Sequence, residues 1–196
     1  MSVVSVVSRA GENGRKAGFS LPELLVVLAI AAVMAGVALP DYRQMIRAQQ
    51  LKAAANDLFG AIDLARTQAI ARGRRVQLVP LDAAQGDWSG GWVVFVDQDG
   101  DRRPGPGEEV IQRYRAPATG IAVAAVFSSQ QGAAYLAYNS MGRSCSDTSS
   151  QAARFGTLSL VQGEGGQIRR IKINMLGRAR LCDPARDGAS CTGPDT

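Results

Sequence analysis

The sequence predicts an α+β protein in which a long N-terminal helix, transmembrane in its first half, packs on an antiparallel β-sheet domain. Three observations carry this. An apolar run from Phe19 to Leu39 is followed by residues whose apolar positions recur at helical spacing, and from Arg74 onward the pattern changes to short strand-like runs between turn residues. A chain of 196 residues with 46% hydrophobic content has material for one core, and an N-terminal helix followed by consecutive strands is the α+β order. No internal repeat is apparent.

The run FSLPELLVVLAIAAVMAGVAL would extend about 30 Å as a helix, the thickness of a bilayer's hydrocarbon core. Arg15 and Lys16 lie just before it, so the positive-inside rule leaves residue 1 in the cytoplasm and sends the chain beyond Leu39 outward. Glu23 breaks the apolar run, and an ionised carboxylate near the bilayer centre costs about 2.5–3.5 kcal/mol on insertion scales unless partnered. A conventional secretory signal could end at Gly36-Val37-Ala38, but the polar leader is long and Glu23 interrupts the apolar stretch. A plain signal anchor leaves the residues around Gly18 unexplained.

Beyond Pro40, the positions Leu51, Ala55, Leu58, Ile62, Ala65 and Ala69 form one stripe, with Lys52, Asp57, Asp63 and Arg66 between them. The helix is expected to run to about Ala71 and stop near Gly73, with Arg72 suiting the negative end of its dipole. Eight strand-like runs follow: RRVQLVP, GWVVFVD, EVIQRYR, IAVAAVF, AAYLAYN, GTLSLV, QIRRIKIN and ARLC. The stretch 140–155 and the tail after Cys182 read as loops.

The absence of histidine excludes a Ser/His/Asp triad, a Cys/His pair and the commonest zinc sites. No catalytic constellation, cofactor motif or complete metal motif replaces them, and the chain reads as a structural and binding protein, not an enzyme. Asp97, Asp99 and Asp101 have the spacing of a calcium loop's first ligands, but Arg102 stands where such a loop needs glycine, and a polar hairpin loop is the preferred reading. Glu108 and Glu109 are expected to be solvated. Three cysteines beyond the apolar run permit one disulfide. Cys182 with Cys191 closes a short loop and is favoured, while pairing of Cys145 with either remains open.

The chain carries a formal charge of +5, about +3 of it beyond residue 18. Between Gln167 and Arg186, Arg169, Arg170, Lys172, Arg178, Arg180 and Arg186 face Asp183 alone. Strand alternation puts Arg170 and Lys172 on one face opposite Ile171 and Ile173, and Arg178 and Arg180 share a face after a turn at Gly177. Four cations on one surface would repel one another, and an anionic partner such as a phosphate backbone would relieve them.

The segment RKAGFSLPELLVVLAI resembles the class III signal of type IV prepilins and type II secretion pseudopilins. The resemblance implies cleavage after Gly18 by a prepilin peptidase, methylation of the new N-terminus at Phe19, and pairing of Glu23 with the N-terminus of a neighbouring pilin during filament assembly. GWVVFVDQDGD, YNSMGR and INMLGRAR resemble the GspH/FimT family, which implies the type IV pilin-like fold and other major and minor pilins as partners. The domain plan is then a leader at 1–18, a transmembrane and filament-core helix at 19–40, its amphipathic continuation at 41–72 and a β-rich extracytoplasmic domain at 73–196.

Gly177-Arg178-Ala179-Arg180 further resembles the Gly-Arg-x-Arg motif of FimT-type minor pilins that bind DNA without marked sequence preference in natural transformation. That role carries to Arg178 and Arg180; Arg170, Lys172 and Arg186 join from charge alone. The expected setting is an inner-membrane protein with a periplasmic domain that later enters a surface pilus, in or near its tip. A type II secretion pseudopilin that primes or caps a periplasmic filament is the alternative.

Overall fold

The computed structural model describes residues 19–82, 86–128, 134–163 and 166–193, excluding the side chains of 37–41. The expected leader, 1–18, and its expected cleavage residue Gly18 lie outside the described residues. Helix α1 covers Leu21–Arg72, with Pro22 in its first turn, where a missing N–H disrupts no intrahelical bond. It passes through two compact units, 1–43 and 44–196. Between Phe19 and Gly36 every residue of the first unit is exposed, including Leu24, Leu25, Leu28 and Ile30. Among the described residues, no helix is long and apolar enough to cross a membrane; the side chains of 37–40 fall outside that set.

In the second unit, α1 buries Leu51, Ala55, Leu58, Ile62, Ala65 and Ala69 in one core with residues of the β domain. These are the six stripe positions, because a 3.6-residue period keeps them on a single face. The helix ends at Arg72, followed by Gly73 at φ +62°. Arg72 closes the helix by an ion pair to Glu109 at 2.5 Å. Glu109 stays exposed, as expected, and also engages Arg72.

The strands are β1 (Val76–Asp82), β2 (Asp87–Phe95), β3 (Val110–Arg115), β4 (Ile121–Phe127), β5 (Leu136–Tyr138), β6 (Ser144–Cys145), β7 (Gly156–Gln162), β8 (Ile168–Ile173) and β9 (Ala179–Cys182). They form two antiparallel sheets, ordered β3-β2-β1-β5-β6 and β4-β7-β8-β9. The short helix α2 (Pro184–Asp187) and a 3-10 turn (Gly188–Cys191) close the described chain. Leu78, Val94 and Leu136 from one sheet and Leu158, Leu160 and Ile171 from the other share the helix-backed core.

The stretch 140–155 is anchored, not a free loop. Tyr135 donates its hydroxyl to Asp147 Oδ1 at 2.6 Å, and Arg102 pairs with Asp147 Oδ2 at 2.5 Å. Arg154 is buried, with its guanidinium 3.9 Å from the Tyr135 ring centre and 5.0 Å from that of Phe127.

Candidate nucleic-acid interface

The β8–β9 hairpin positions the basic residues. Ile171 and Ile173 point into the core, so the intervening Lys172 emerges on the opposite face, and the register sets Lys172 directly against Arg180. The turn between the strands is closed from Asn174: its side chain accepts from Leu176 N at 3.0 Å and Arg178 N at 2.9 Å. Gly177 sits at φ +76°, and a Cβ there would lie 2.6 Å from Ser144 N. The glycine of Gly-Arg-x-Arg is thus required by both backbone conformation and space. Tyr138 holds the Gly177 carbonyl, donating its buried hydroxyl to Gly177 O at 2.9 Å, and burial pushes its phenol pKa up.

Lys172, Arg178 and Arg180 line one open cleft of about 390 Å³ with Thr157, Asn174 and Ser190, and no carboxylate is among its lining residues. Arg178 and Arg180 are exposed and Lys172 is half-buried. Arg180 is steadied by a hydrogen bond from Nη2 to Ser190 Oγ at 2.9 Å, and Ser190 in turn donates to Asp187 O. The cleft is a built cation cluster directed at solvent.

The other predicted members part company with it. Arg170 does share the face of Lys172, but only 4% of its surface is exposed, and its Nη1 donates to Cys191 O at 2.8 Å. The assignment of Arg170 to a DNA-contacting surface is corrected: the C-terminal segment covers it, and it serves as an internal strut. Arg169 pairs with Asp183 at 2.9 Å, and Arg186 approaches the same carboxylate at 3.8 Å. Both line a separate depression of about 580 Å³ with Gln44 and Gln167. Arg186 is exposed but belongs to this partly neutralised neighbourhood. The surface thus holds fewer unshared charges than strand alternation suggested.

A disulfide joins Cys182 to Cys191 with the Cα atoms 5.8 Å apart, closing the loop that contains α2 and the 3-10 turn. This loop delivers the Cys191 carbonyl to Arg170 and Ser190 to Arg180. Cys145 is free and buried, and burial pushes its thiol up to about 11, so it is a poor nucleophile.

Carboxylate oxygens of Asp97, Asp99 and Glu108 lie within 4.8 Å of one another, the closest approach to a cation site among the described residues. Asp101 is not part of the group; its Oδ1 accepts from Arg103 N at 2.7 Å. Asp97 is held by Gln77 Nε2 and by Gly100 N at 2.7 Å, with Arg75 at 3.9 Å, while burial raises its pKa. Glu108 is not simply solvated either, since it accepts from Gln98 N at 2.7 Å and Gly105 N at 2.9 Å. Protein donors fill the carboxylates' needs, and Arg102 adopts φ +64° at the position where a calcium loop has glycine. The second grouping, Cys182, Asp187 and Cys191, loses its two sulfur ligands to the disulfide.

Phe19 precedes α1 and is 83% exposed; Glu23 lies in the first turn of the helix and is also exposed. A long N-terminal helix whose second half backs a two-sheet β domain is a pilin-like architecture. The family described as "Type II transport protein GspH" matches residues 54–177, and the "Prokaryotic N-terminal methylation motif" matches residues 13–39. The chain belongs to the GspH family of pilin-like and pseudopilin-like proteins, which are structural proteins and not enzymes. Its methylation motif implies dealings with prepilin peptidase and with other pilins.

The pilin-like protein PilA1 of Thermus thermophilus is 32% identical over 178 residues, spanning 84% of this chain and 97% of that relative. The crystal structure of the type IV minor pilin FimU from Pseudomonas aeruginosa superposes with a TM-score of 0.53 at 19% identity, covering 74% of this chain and 96% of FimU. A second crystal form of FimU gives 0.51 at 19% identity over 72% and 99% of the two chains. At that identity the likeness concerns the fold alone.

Proposed function

We propose that this chain is a FimT-type minor pilin that captures extracellular DNA by its phosphate backbone. In this reading the leader 1–18 is removed after Gly18 and Phe19 is methylated. The helix at 19–40 holds the protein in the inner membrane, its continuation at 41–72 carries the β domain 73–196 outside, and Glu23 pairs with a neighbouring subunit's N-terminus as the chain enters the pilus, in or near its tip. The observation that supports DNA capture is the gathering of Lys172, Arg178 and Arg180 into one cleft with no carboxylate in its lining.

The chemistry follows from the side chains. Arginine offers a forked set of donors that matches phosphate oxygens, and lysine adds a point charge. Among the described residues lining the cleft, Phe155 is the one aromatic, so contacts to the backbone outweigh base stacking, and binding is expected to be insensitive to sequence. Three phosphate contacts would give a log–log salt slope near about −2.7 on a duplex.

Placement in the filament is tested by shearing. The wild-type protein is expected in the sheared pilus fraction with N-methylated Phe19 as its first residue. Glu23→Ala should remain membrane-inserted and processed but be depleted from that fraction; normal recovery of the variant would contradict the role of Glu23. The family match to a type II transport protein favours one second reading, a pseudopilin that primes or caps a periplasmic filament. Loss of protein secretion on deletion, with pili and DNA uptake intact, would select it.

A further inference from the structure

The hairpin between β5 and β6 contains a second copy of the β8–β9 turn. In the stretch 139–143, Asn139 Oδ1 accepts from Met141 N and Arg143 N, each at 3.0 Å, as Asn174 Oδ1 accepts from Leu176 N and Arg178 N. The backbone bonds repeat as well. Asn139 N donates to Arg143 O at 3.0 Å and Gly142 N to Asn139 O at 2.9 Å; the counterparts from Asn174 and Gly177 measure 3.1 and 2.9 Å. Gly142 and Gly177 both have positive φ, +70° and +76°.

The two turns belong to different sheets yet abut. Strands β6 and β9 are the outer strands of their respective sheets. A Cβ placed on Gly177 would fall 3.2 Å from the Arg143 carbonyl carbon. Arg143 therefore begins where the Gly177-Arg178 corner ends.

In both copies, asparagine and glycine make the turn, while the arginine supplies only its backbone N–H and C=O. Any residue other than proline could do that, so the turn does not explain a cationic side chain at position 143 or 178. Both side chains are exposed, and among the described residues neither forms an ion pair. Asp63 is the acid nearby, in the depression of about 190 Å³ that it lines with Arg66 and Arg178. Placing another unpaired guanidinium beside this row costs electrostatic energy that an extended polyanion would recover.

We propose that Arg143 is a further DNA-contacting residue, extending the row of Lys172, Arg180 and Arg178 across the junction of the two sheets. This rests on the DNA-binding reading above and adds one phosphate contact, bringing the slope to about −3.6.

The test uses the full chain in uncharged detergent micelles with a random-sequence duplex. Arg143→Gln should lower the magnitude of the slope by about 0.9 and weaken binding about fivefold at ~0.15 M salt, whereas Arg143→Lys should restore the slope. Arg113→Gln, which removes an exposed cation from β3, should leave both quantities unchanged. In the unmutated chain, DNA should protect Arg143 and Arg178 alike from phenylglyoxal, a readout independent of how any variant folds. A wild-type slope and affinity in Arg143→Gln, with Arg178→Gln impaired and Arg143 unprotected, would overturn the role of Arg143 and leave the cleft standing. No salt-dependent binding by the wild type would overturn both.

Discussion

Around Tyr135, Arg102 and Arg154 are folded into the protein, whereas around the β8–β9 turn Arg178 and Arg180 stand in solvent. In the first region each charge is spoken for: Asp147 accepts from Arg102, Tyr135 and Ser146, and Arg154 lies against two aromatic rings while donating to Tyr135 O at 3.0 Å. In the second, Lys172 faces Arg180 across the strand pair without a carboxylate in the cleft. Arginine content therefore does not mark an interface. What separates a strut from a ligand-binding group is whether the fold has already neutralised it, and Arg170, although it shares a strand face with Lys172, belongs with the struts.

The largest expected effect falls on the paired region. Arg154→Ala removes a buried guanidinium and leaves Tyr135 O without its donor, so denaturant unfolding should show a loss of about 3 kcal/mol. A loss below about 0.5 kcal/mol would erase the contrast between the regions. Next, replacing Cys182 and Cys191 together by serine should cost about 2–3 kcal/mol through the freed loop, with increased protease cleavage of the tail.

Asp147 provides a pH-dependent probe of the same region. Burial raises its pKa, but hydrogen bonds from Tyr135, Arg102 and Ser146 and the charge of Arg102 outweigh that and hold it at about 2. Because this value is depressed below that of the unfolded chain, the stabilisation is fully present above about pH 4 and is lost as pH falls toward 2. It amounts to roughly 2 kcal/mol, and Asp147→Asn should flatten that part of the stability profile. The smallest effect is expected at the open cleft, where Arg178→Gln with Arg180→Gln should shift stability by less than about 0.5 kcal/mol. A large destabilisation there would make those arginines structural.

The helix stripe was legible because a single period runs from Leu51 to Ala69 and faces one core. Alternation likewise revealed most strands, including the outward turn of Lys172 between Ile171 and Ile173. Their division into two sheets was not legible, since alternation says which face a residue takes and nothing about its neighbour strand. The two-residue strand Ser144–Cys145 is too short to show any period. Arg170 was misassigned because its cover comes from a tail closed by a disulfide, a tertiary event invisible in strand alternation. Arg143, proposed above as a further contact, does not stand out in the sequence because it is one cation in a polar stretch; the repeated Asn-x-x-Gly-Arg pattern at 139–143 and 174–178 is the signal that points to it.

The decisive measurement is the salt dependence of duplex binding by the full chain in uncharged micelles, with wild type beside the Arg178→Gln/Arg180→Gln double variant. Four contacts predict a log–log slope of about −3.6, cut to about −1.8 when two are lost, with the fold unchanged. Binding that is absent near physiological salt, or indifferent to both substitutions, would contradict DNA capture by this surface.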